Sequence, residues 1–219
     1  MNILNLYACL GGNRYKWGND HNITAVEWDE DLANLYQKRF PNDKIIVSDA
    51  HQYLLDHYKE FDFIWSSPPC PTHSKVRVTQ KNRDFYNPKY PDMNLYQEVI
   101  FLQEHFEGKY VVENVIPYYK PLIEAQERGR HLYWANFILP PSIDRKESKG
   151  FMCGQKNQEK VKLCEFHDID INFLESYKGK QDKRKLVRNM VDYEVGKIIL
   201  DAAIGIVKKT NEDQISFLD

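Results

Sequence analysis

The chain has 219 residues, of which 42% are hydrophobic and 28% charged, with a formal net charge of -2 at pH 7. That length suits one domain, or one with a small appendage, and carries enough apolar residues for a proper core. The near-neutral balance excludes binding to a polyanion through global charge, so any nucleic-acid contact must be a local patch. No apolar run approaches membrane-spanning length.

The N-terminus shows no signal-peptide pattern and runs directly into an apolar, strand-like segment over residues 3–8, followed by Cys9-Leu10-Gly11-Gly12. A second apolar run, 23–26, ends in Glu27-Trp28-Asp29. Residues 31–40 have helical spacing and stop at Pro41; 44–47 is a short strand ending in Ser48-Asp49; 51–57 reads as helix. Residues 61–65 form the next strand, leading into Ser66-Ser67-Pro68-Pro69-Cys70. Asp92 is placed to cap a helix through residue 105. A strand at 110–112 ends in Glu113-Asn114, a short helix is expected at 122–127, and 131–139 is strand-rich. Strands and helices alternating at this spacing predict an open, mostly parallel α/β sheet with helices on both faces, spanning residues 1–139.

From residue 140 to 184 the apolar periodicity fades and lysines accumulate, which predicts a small inserted segment. Residues 185–207 are apolar at helical spacing and are expected to form one helix returning to the sheet, followed by a polar tail at 208–219.

In open α/β sheets ligands bind at the carboxyl ends of the strands. Gly11, Gly12, Glu27, Asp49, Cys70 and Glu113 all fall there. Glycines in the first turn let backbone approach a ligand, Glu27 is placed for ribose hydroxyls, Trp28 for stacking on a purine, and Asp49 for an exocyclic amine. These describe a nucleoside-containing cofactor, and S-adenosylmethionine fits; the plainer alternative is a solvated acid beside a core Trp. Cys70 follows a buried strand on a stiff Pro-Pro turn, where a nucleophile belongs, although a buried packing cysteine would read the same taken alone. Activating C5 of a cytosine needs a thiolate, a carboxyl group near N3 and cations near O2, and Cys70, Glu113, Arg128 and Arg130 are of those types.

Five motifs in order carry a family resemblance. Asn5-Leu6-Tyr7-Ala8-Cys9-Leu10-Gly11-Gly12 is similar to D-L-F-x-G-x-G-G, and Pro68-Pro69-Cys70-Pro71-Thr72-His73-Ser74 resembles P-P-C-Q-x-x-S. Glu113-Asn114-Val115 is E-N-V, Gln126-Glu127-Arg128-Gly129-Arg130 matches Q-x-R-x-R, and Asn189-Met190-Val191 resembles G-N-x-V. The chain thus resembles the DNA cytosine-5-methyltransferases, with Asn5, Cys9, Pro71 and Arg188 standing where the motifs have Asp, Gly, Gln and Gly.

The resemblance implies a Rossmann-like sheet dependent on S-adenosylmethionine, with a small target-recognition insertion at 140–184. It implies Cys70 as nucleophile, Glu113 at N3, and Arg128 and Arg130 positioning the base and the catalytic loop. Tyr7, Gly11, Gly12, Glu27, Trp28, Asp49, Pro68, Asn189 and Val191 would surround the cofactor. Ser74, Lys75, Arg77, Lys81 and Arg83, in the basic loop after the nucleophile, would meet the nucleic acid. The partner implied is double-stranded DNA, with its target base flipped out. The enzyme would be a monomer in the cytoplasm of a bacterial or phage-infected cell, of the restriction-modification kind. A tRNA-directed enzyme of the same mechanism, a catalytically silent DNA-binding protein and a different S-adenosylmethionine enzyme are the alternatives. Cys153, Cys164 and His167 lack a C-x-x-C pair and a fourth ligand; they read as packing groups, with no metal expected, and the four cysteines as reduced thiols rather than a disulfide framework.

Overall fold

The computed structural model of the chain describes residues 1–79, 81–82, 86–143 and 156–206. The short apolar runs form β1 (Asn2–Leu6), β2 (Asn22–Glu27), β3 (Lys44–Val47), β4 (Phe63–Ser66) and β5 (Lys109–Val115), followed by β6 (Gln126–Arg128) and β7 (His131–Ala135). The longer runs form helices α1 (Glu30–Arg39), α2 (Ala50–His57), α3 (Lys75–Val78), α4 (Asn94–His105), α5 (Lys156–Phe166), α6 (Ile171–Glu175), α7 (Lys183–Arg188) and α8 (Tyr193–Ala203). Asp29, Asp49, Asp170, Asp182 and Asp192 each cap a helix by accepting a backbone N–H two or three residues on.

The strands form one sheet in the order β3-β2-β1-β4-β5-β7-β6. The first five in this order are parallel, while β7 runs antiparallel to both β5 and β6. β4 is buried throughout, and β1 everywhere but Asn2, as central strands of a parallel sheet must be. Alternation along the strands sorts the core into two layers. Leu4, Leu6, Val26, Ile64 and Val112 pack with Leu54 of α2 and Val99 and Leu102 of α4. Ile3, Ile23, Phe63, Trp65 and Val111 pack on the other face with Val195 and Ile199 of α8; Ala25 joins that face beneath Tyr36 of α1. The strand order reverses between β1 and β4, so the loops leaving them part in opposite directions and open a crevice at their carboxyl ends.

Three predicted elements differ. Residues 122–127 form no helix; the chain crosses by bends and enters β6. The single helix expected over 185–207 is two, α7 and α8, broken between Asn189 and Asp192. The break has a physical reason: Asp192 caps α8 by accepting the Glu194 N–H at 2.9 Å, and Met190 and Val191 are drawn against Gly12. Strand β5 continues to Val115, so Glu113 and Asn114 lie within its paired length, opposite Tyr133 and Leu132, rather than beyond its end.

The described part of the lysine-rich segment is not loosely attached. Leu163 and Cys164 of α5, Leu174 of α6, and Ile169 and Tyr177 share a core with Leu10, and with Leu32 and Leu35 of α1. Tyr177 and Gln181 both donate to the free carboxylate oxygen of Asp29, at 2.6 and 3.0 Å. Residues 144–155, with Cys153, and the tail from 207 lie outside the described residues, and among those described no His, Cys, Asp and Glu cluster is placed to hold a metal. Among them, too, no helix is long and apolar enough to cross a membrane.

Behind the first turn, the guanidinium of Arg14 meets the carboxylate of Asp43 through two bonds of 2.8 Å, and Tyr36 donates to the same carboxylate at 2.8 Å. Both charges are almost fully buried. Removing one partner strands the other without compensation. Asp43→Ala is expected to lower unfolding free energy by about 3–5 kcal/mol, seen as a lower urea midpoint with an unchanged m-value; the Arg14→Ala/Asp43→Ala pair should recover part of that loss.

Candidate active site

A cavity of about 220 Å³ opens at the crevice and is lined by Tyr7, Val26, Trp28, Asp49, Ala50, His51, Pro69, Asp92 and Asn94. Each comes from the carboxyl end of a strand or the start of the following helix. Tyr7 leaves β1 with φ 57 and Cys9 follows with φ 46, both in the left-handed region that glycine favours. This is where the first motif has its glycine, and here a side chain is carried at the cost of strain. Trp28 stands 69% exposed at the rim. Asp49 spends one carboxylate oxygen on the Gln52 N–H at 3.0 Å, and its other oxygen has no hydrogen-bond partner among the described residues.

The remaining cofactor candidates sit behind this wall. Gly11 has φ 67, and a Cβ there would lie 2.3 Å from the Phe40 ring; a Cβ on Gly12 would lie 2.3 Å from the Val191 carbonyl oxygen. Both glycines therefore serve the close approach of protein to protein. Val191 presents its carbonyl to that turn, and Asn189 is the exposed C-cap of α7. The buried carboxylate of Glu27 accepts the backbone N–H of Cys9 at 2.9 Å and of Asp29 at 3.0 Å, tying the turn after β1 to the turn after β2. Burial raises its pKa, and the same burial, with the Glu27 charge, pushes the Cys9 thiol up to about 12, which makes Cys9 an inert neutral group.

The cavity suits S-adenosylmethionine by its chemistry. A ring face at the rim matches a purine, Asp49 matches an amine donor, and the carboxylates of Asp49 and Asp92 suit a ligand bearing cationic sulfonium and ammonium groups. Pro69 joins this wall to the nucleophile loop.

In that loop, Pro68 is held by Asn114, whose Nδ2 donates to its carbonyl at 2.8 Å, while Asn114 Oδ1 accepts the Val115 N–H at 2.9 Å. The carbonyl of Cys70 accepts the N–H of His73 at 3.0 Å and of Ser74 at 3.1 Å, closing a turn around the thiol. The segment after β5 straps this turn: Ser74 bridges Pro117, Tyr118 N–H donates to the His73 carbonyl at 3.0 Å, and the buried His73 ring meets Tyr119 Oη at 2.5 Å. Glu113 is buried, with His131 Nε2 3.5 Å from its carboxylate. Burial first, and then the charge of Glu113, raise the Cys70 thiol pKa, so the thiol rests protonated.

Arg128 and Arg130 separate. Arg128 donates to the carbonyls of Pro140 at 2.6 Å, Leu139 at 3.0 Å and Glu127 at 2.8 Å, and Gln126 joins this clamp through Phe137 and Leu139. The structure thus gives Arg128 a backbone-holding role, while Arg130 is exposed at the turn between β6 and β7. Ser74 caps α3 by accepting the Val76 N–H at 3.3 Å; Lys75 and Lys81 are exposed, Arg77 donates to the Asn87 carbonyl at 2.5 Å, and Arg83 lies outside the described residues.

Sequence reasoning missed His51, Asp92, Asn94 and Glu98. Glu98 did carry a signal: at spacing i+3 and i−4 it shares the apolar stripe of Leu95 and Leu102, where an acid has no reason to sit without partners. His51, Asp92 and Asn94 carried none, since each is an ordinary helix-start residue until the fold turns it inward.

The raised thiol generates a prediction. Alkylation of Cys70 by iodoacetamide, followed on its peptide by mass spectrometry, should accelerate with a midpoint above the ordinary thiol value. In Glu113→Gln, which removes the nearby negative charge, the midpoint should move down.

The family model C-5 cytosine-specific DNA methylase matches residues 1–120. No curated protein matches the chain. Among solved structures, the Entamoeba histolytica methyltransferase EhMeth aligns over 95% of this chain and 99% of its own at 11% identity, with a TM-score of 0.57, a likeness of fold. A Spodoptera frugiperda DNMT2 mutant is 25% identical over 52% of this chain, with a TM-score of 0.38. The alignment spans only 35% of that DNMT2 chain. A TehB-like SAM-dependent methyltransferase from Corynebacterium glutamicum is 18% identical over 52% of this chain and 54% of its own, with a TM-score of 0.32. With its motifs, its sheet and the family match over more than half its length, the chain belongs to the C-5 cytosine-specific DNA methylases, enzymes that depend on S-adenosylmethionine.

Proposed function

We propose that the chain methylates C5 of cytosine in duplex DNA through a covalent bond between Cys70 and C6 of a base flipped from the stack. The reading is carried by one observation: the Glu113 charge acts on the Cys70 thiol, while Asn114, next to Glu113, holds the loop bearing that thiol. In this reading a nucleophile and an acid from adjacent strands face one substrate position.

Cytosine C5 is too weak a nucleophile to be methylated unaided. The Cys70 thiol gives its proton to water, the thiolate adds to C6, forming the S–C6 bond, and the ring electron pair moves to C5 while negative charge gathers toward N3 and O2. Glu113, taking up a proton from water as the base enters, holds it at N3, and Arg130 is the cation left to meet O2, since Arg128 is spent on backbone carbonyls. S-adenosylmethionine, when bound, supplies the electrophilic methyl group that C5 takes. Loss of the C5 proton to water then restores the ring double bond and expels Cys70 as thiolate. Protonation of Glu113 as it engages N3 removes the charge that, after burial, raises the thiol pKa, so arrival of the base itself favours thiolate formation. Lys75, Arg77, Lys81 and Arg83 would meet phosphates, making binding salt-dependent. Base reading is assigned to the small segment 140–184, with help from the loop after the nucleophile.

The test is transfer of labelled methyl from S-adenosylmethionine to duplex DNA and, in parallel, to total tRNA. Label in DNA cytosine, reduced by about three orders of magnitude or more in Cys70→Ser, is the expected outcome. Label in tRNA alone would overturn the duplex-DNA reading, and no label in either substrate with the cofactor still bound would overturn catalysis. Arg130→Ala should lower turnover without changing the unfolding midpoint, whereas Arg128→Ala should lower the midpoint.

A further inference from the structure

One buried carboxylate touches both halves of the site. Glu98, on α4, is 1% exposed. Its Oε1 accepts the Tyr7 hydroxyl at 2.5 Å and lies 3.0 Å from His51 Nδ1; its Oε2 accepts the Ser66 hydroxyl at 2.5 Å. Tyr7 and His51 are both walls of the cofactor cavity. Ser66 is the last residue of β4 and leads, within four residues, to Cys70. Burying a carboxylate is costly, and this one is sustained by donors arriving from three separate elements: the end of β1, helix α2 and β4. Helix α4 itself is only the platform. The packing would be satisfied by a leucine, as it is at Leu95 and Leu102 on the same stripe.

We propose that Glu98 is a positioning residue that locks the cofactor wall to the nucleophile strand, so that what occupies the cavity is felt at Cys70. This rests on the assignment of Cys70 as nucleophile and of the cavity to the cofactor. Methyl transfer needs donor, base and thiol aligned within a fraction of an ångström, and a shared carboxylate sets that spacing more rigidly than apolar contact does. Tyr7 reaches it from a left-handed backbone, so side chain and strained turn are fixed together. Facing the carboxylate are the Tyr7 hydroxyl, the Ser66 hydroxyl and the His51 ring; His51 also feels Gln97 and Asp49, and Tyr7 feels Asp49 and Asp92. The Glu98 bond, the largest of its causes, raises the His51 pKa.

The probe is S-adenosylhomocysteine, and the readout is the rate of Cys70 carboxamidomethylation, measured beside binding by calorimetry. In the wild-type chain, saturating S-adenosylhomocysteine should change the Cys70 rate by about threefold or more. Ser66→Ala cuts only the nucleophile side of the lock. It should bind the probe within about threefold of wild type and lose most of that rate change. Glu98→Gln, close to isosteric, should lose it too while retaining the wild-type circular dichroism. If Ser66→Ala keeps the full wild-type response, the effect travels by direct contact and the lock is overturned. A wild-type chain that does not bind the probe would overturn the cavity assignment, and calorimetry separates this from a failure of the lock alone.

Discussion

The reversal of strand order between β1 and β4 governs what this molecule can do. Two central strands, buried on both faces, have no freedom to shift; their exits must diverge, because the sheet continues in opposite directions on either side of them. The crevice is therefore a consequence of topology. Tyr7 and the Pro68–Cys70 loop reach it from β1 and β4 themselves, while Trp28, Asp49 and Glu113 arrive from the flanking strands. Asn114 then bolts β5 to the loop that leaves its neighbour β4.

Most polar groups near this crevice are committed to holding backbone. Glu27 spends both oxygens on turn amides, Arg128 and Gln126 grip residues 137–140, and Gly11 and Gly12 admit neighbouring protein. Among the described residues, what is left to meet a ligand is small: a ring at the rim, carboxylate oxygens in the cavity, a protonated thiol and the buried Glu113 with His131 beside it. A site that spends so much on its own scaffold can keep its reacting groups at fixed spacing. The departures at the first motif fit this division. Asn5 is buried and neutral, accepting from Asn13 at 2.7 Å, and so needs no counter-charge. Cys9 tolerates its left-handed backbone with its amide held by Glu27.

The lysine-rich segment shows how composition can mislead about packing. Its lysines conceal an apolar set, Leu163, Cys164, Ile169, Leu174 and Tyr177, that is spaced across two short helices and a turn rather than along one helix. A window that looks for one period does not see it. The same limitation turned α7 and α8 into one predicted helix, because Met190 and Val191 between them carry the apolar pattern across the break.

The chain by itself determined the alternation of strand and helix, the parallel sheet, and the motifs at its carboxyl edge, because these depend on local period and on short strings of residue types. It could not determine which side chain in a motif faces the ligand and which faces the protein. Arg128 and Arg130 are two residues apart and chemically alike, yet one clamps carbonyls and the other is exposed. Glycines that read as room for a cofactor make room for Phe40 and Val191. Glu98 and His51, almost fifty positions apart, meet only when α4 and α2 pack on the same face. Those outcomes are decided by contacts between residues distant in sequence, whose geometry exists only once the sheet has closed its core.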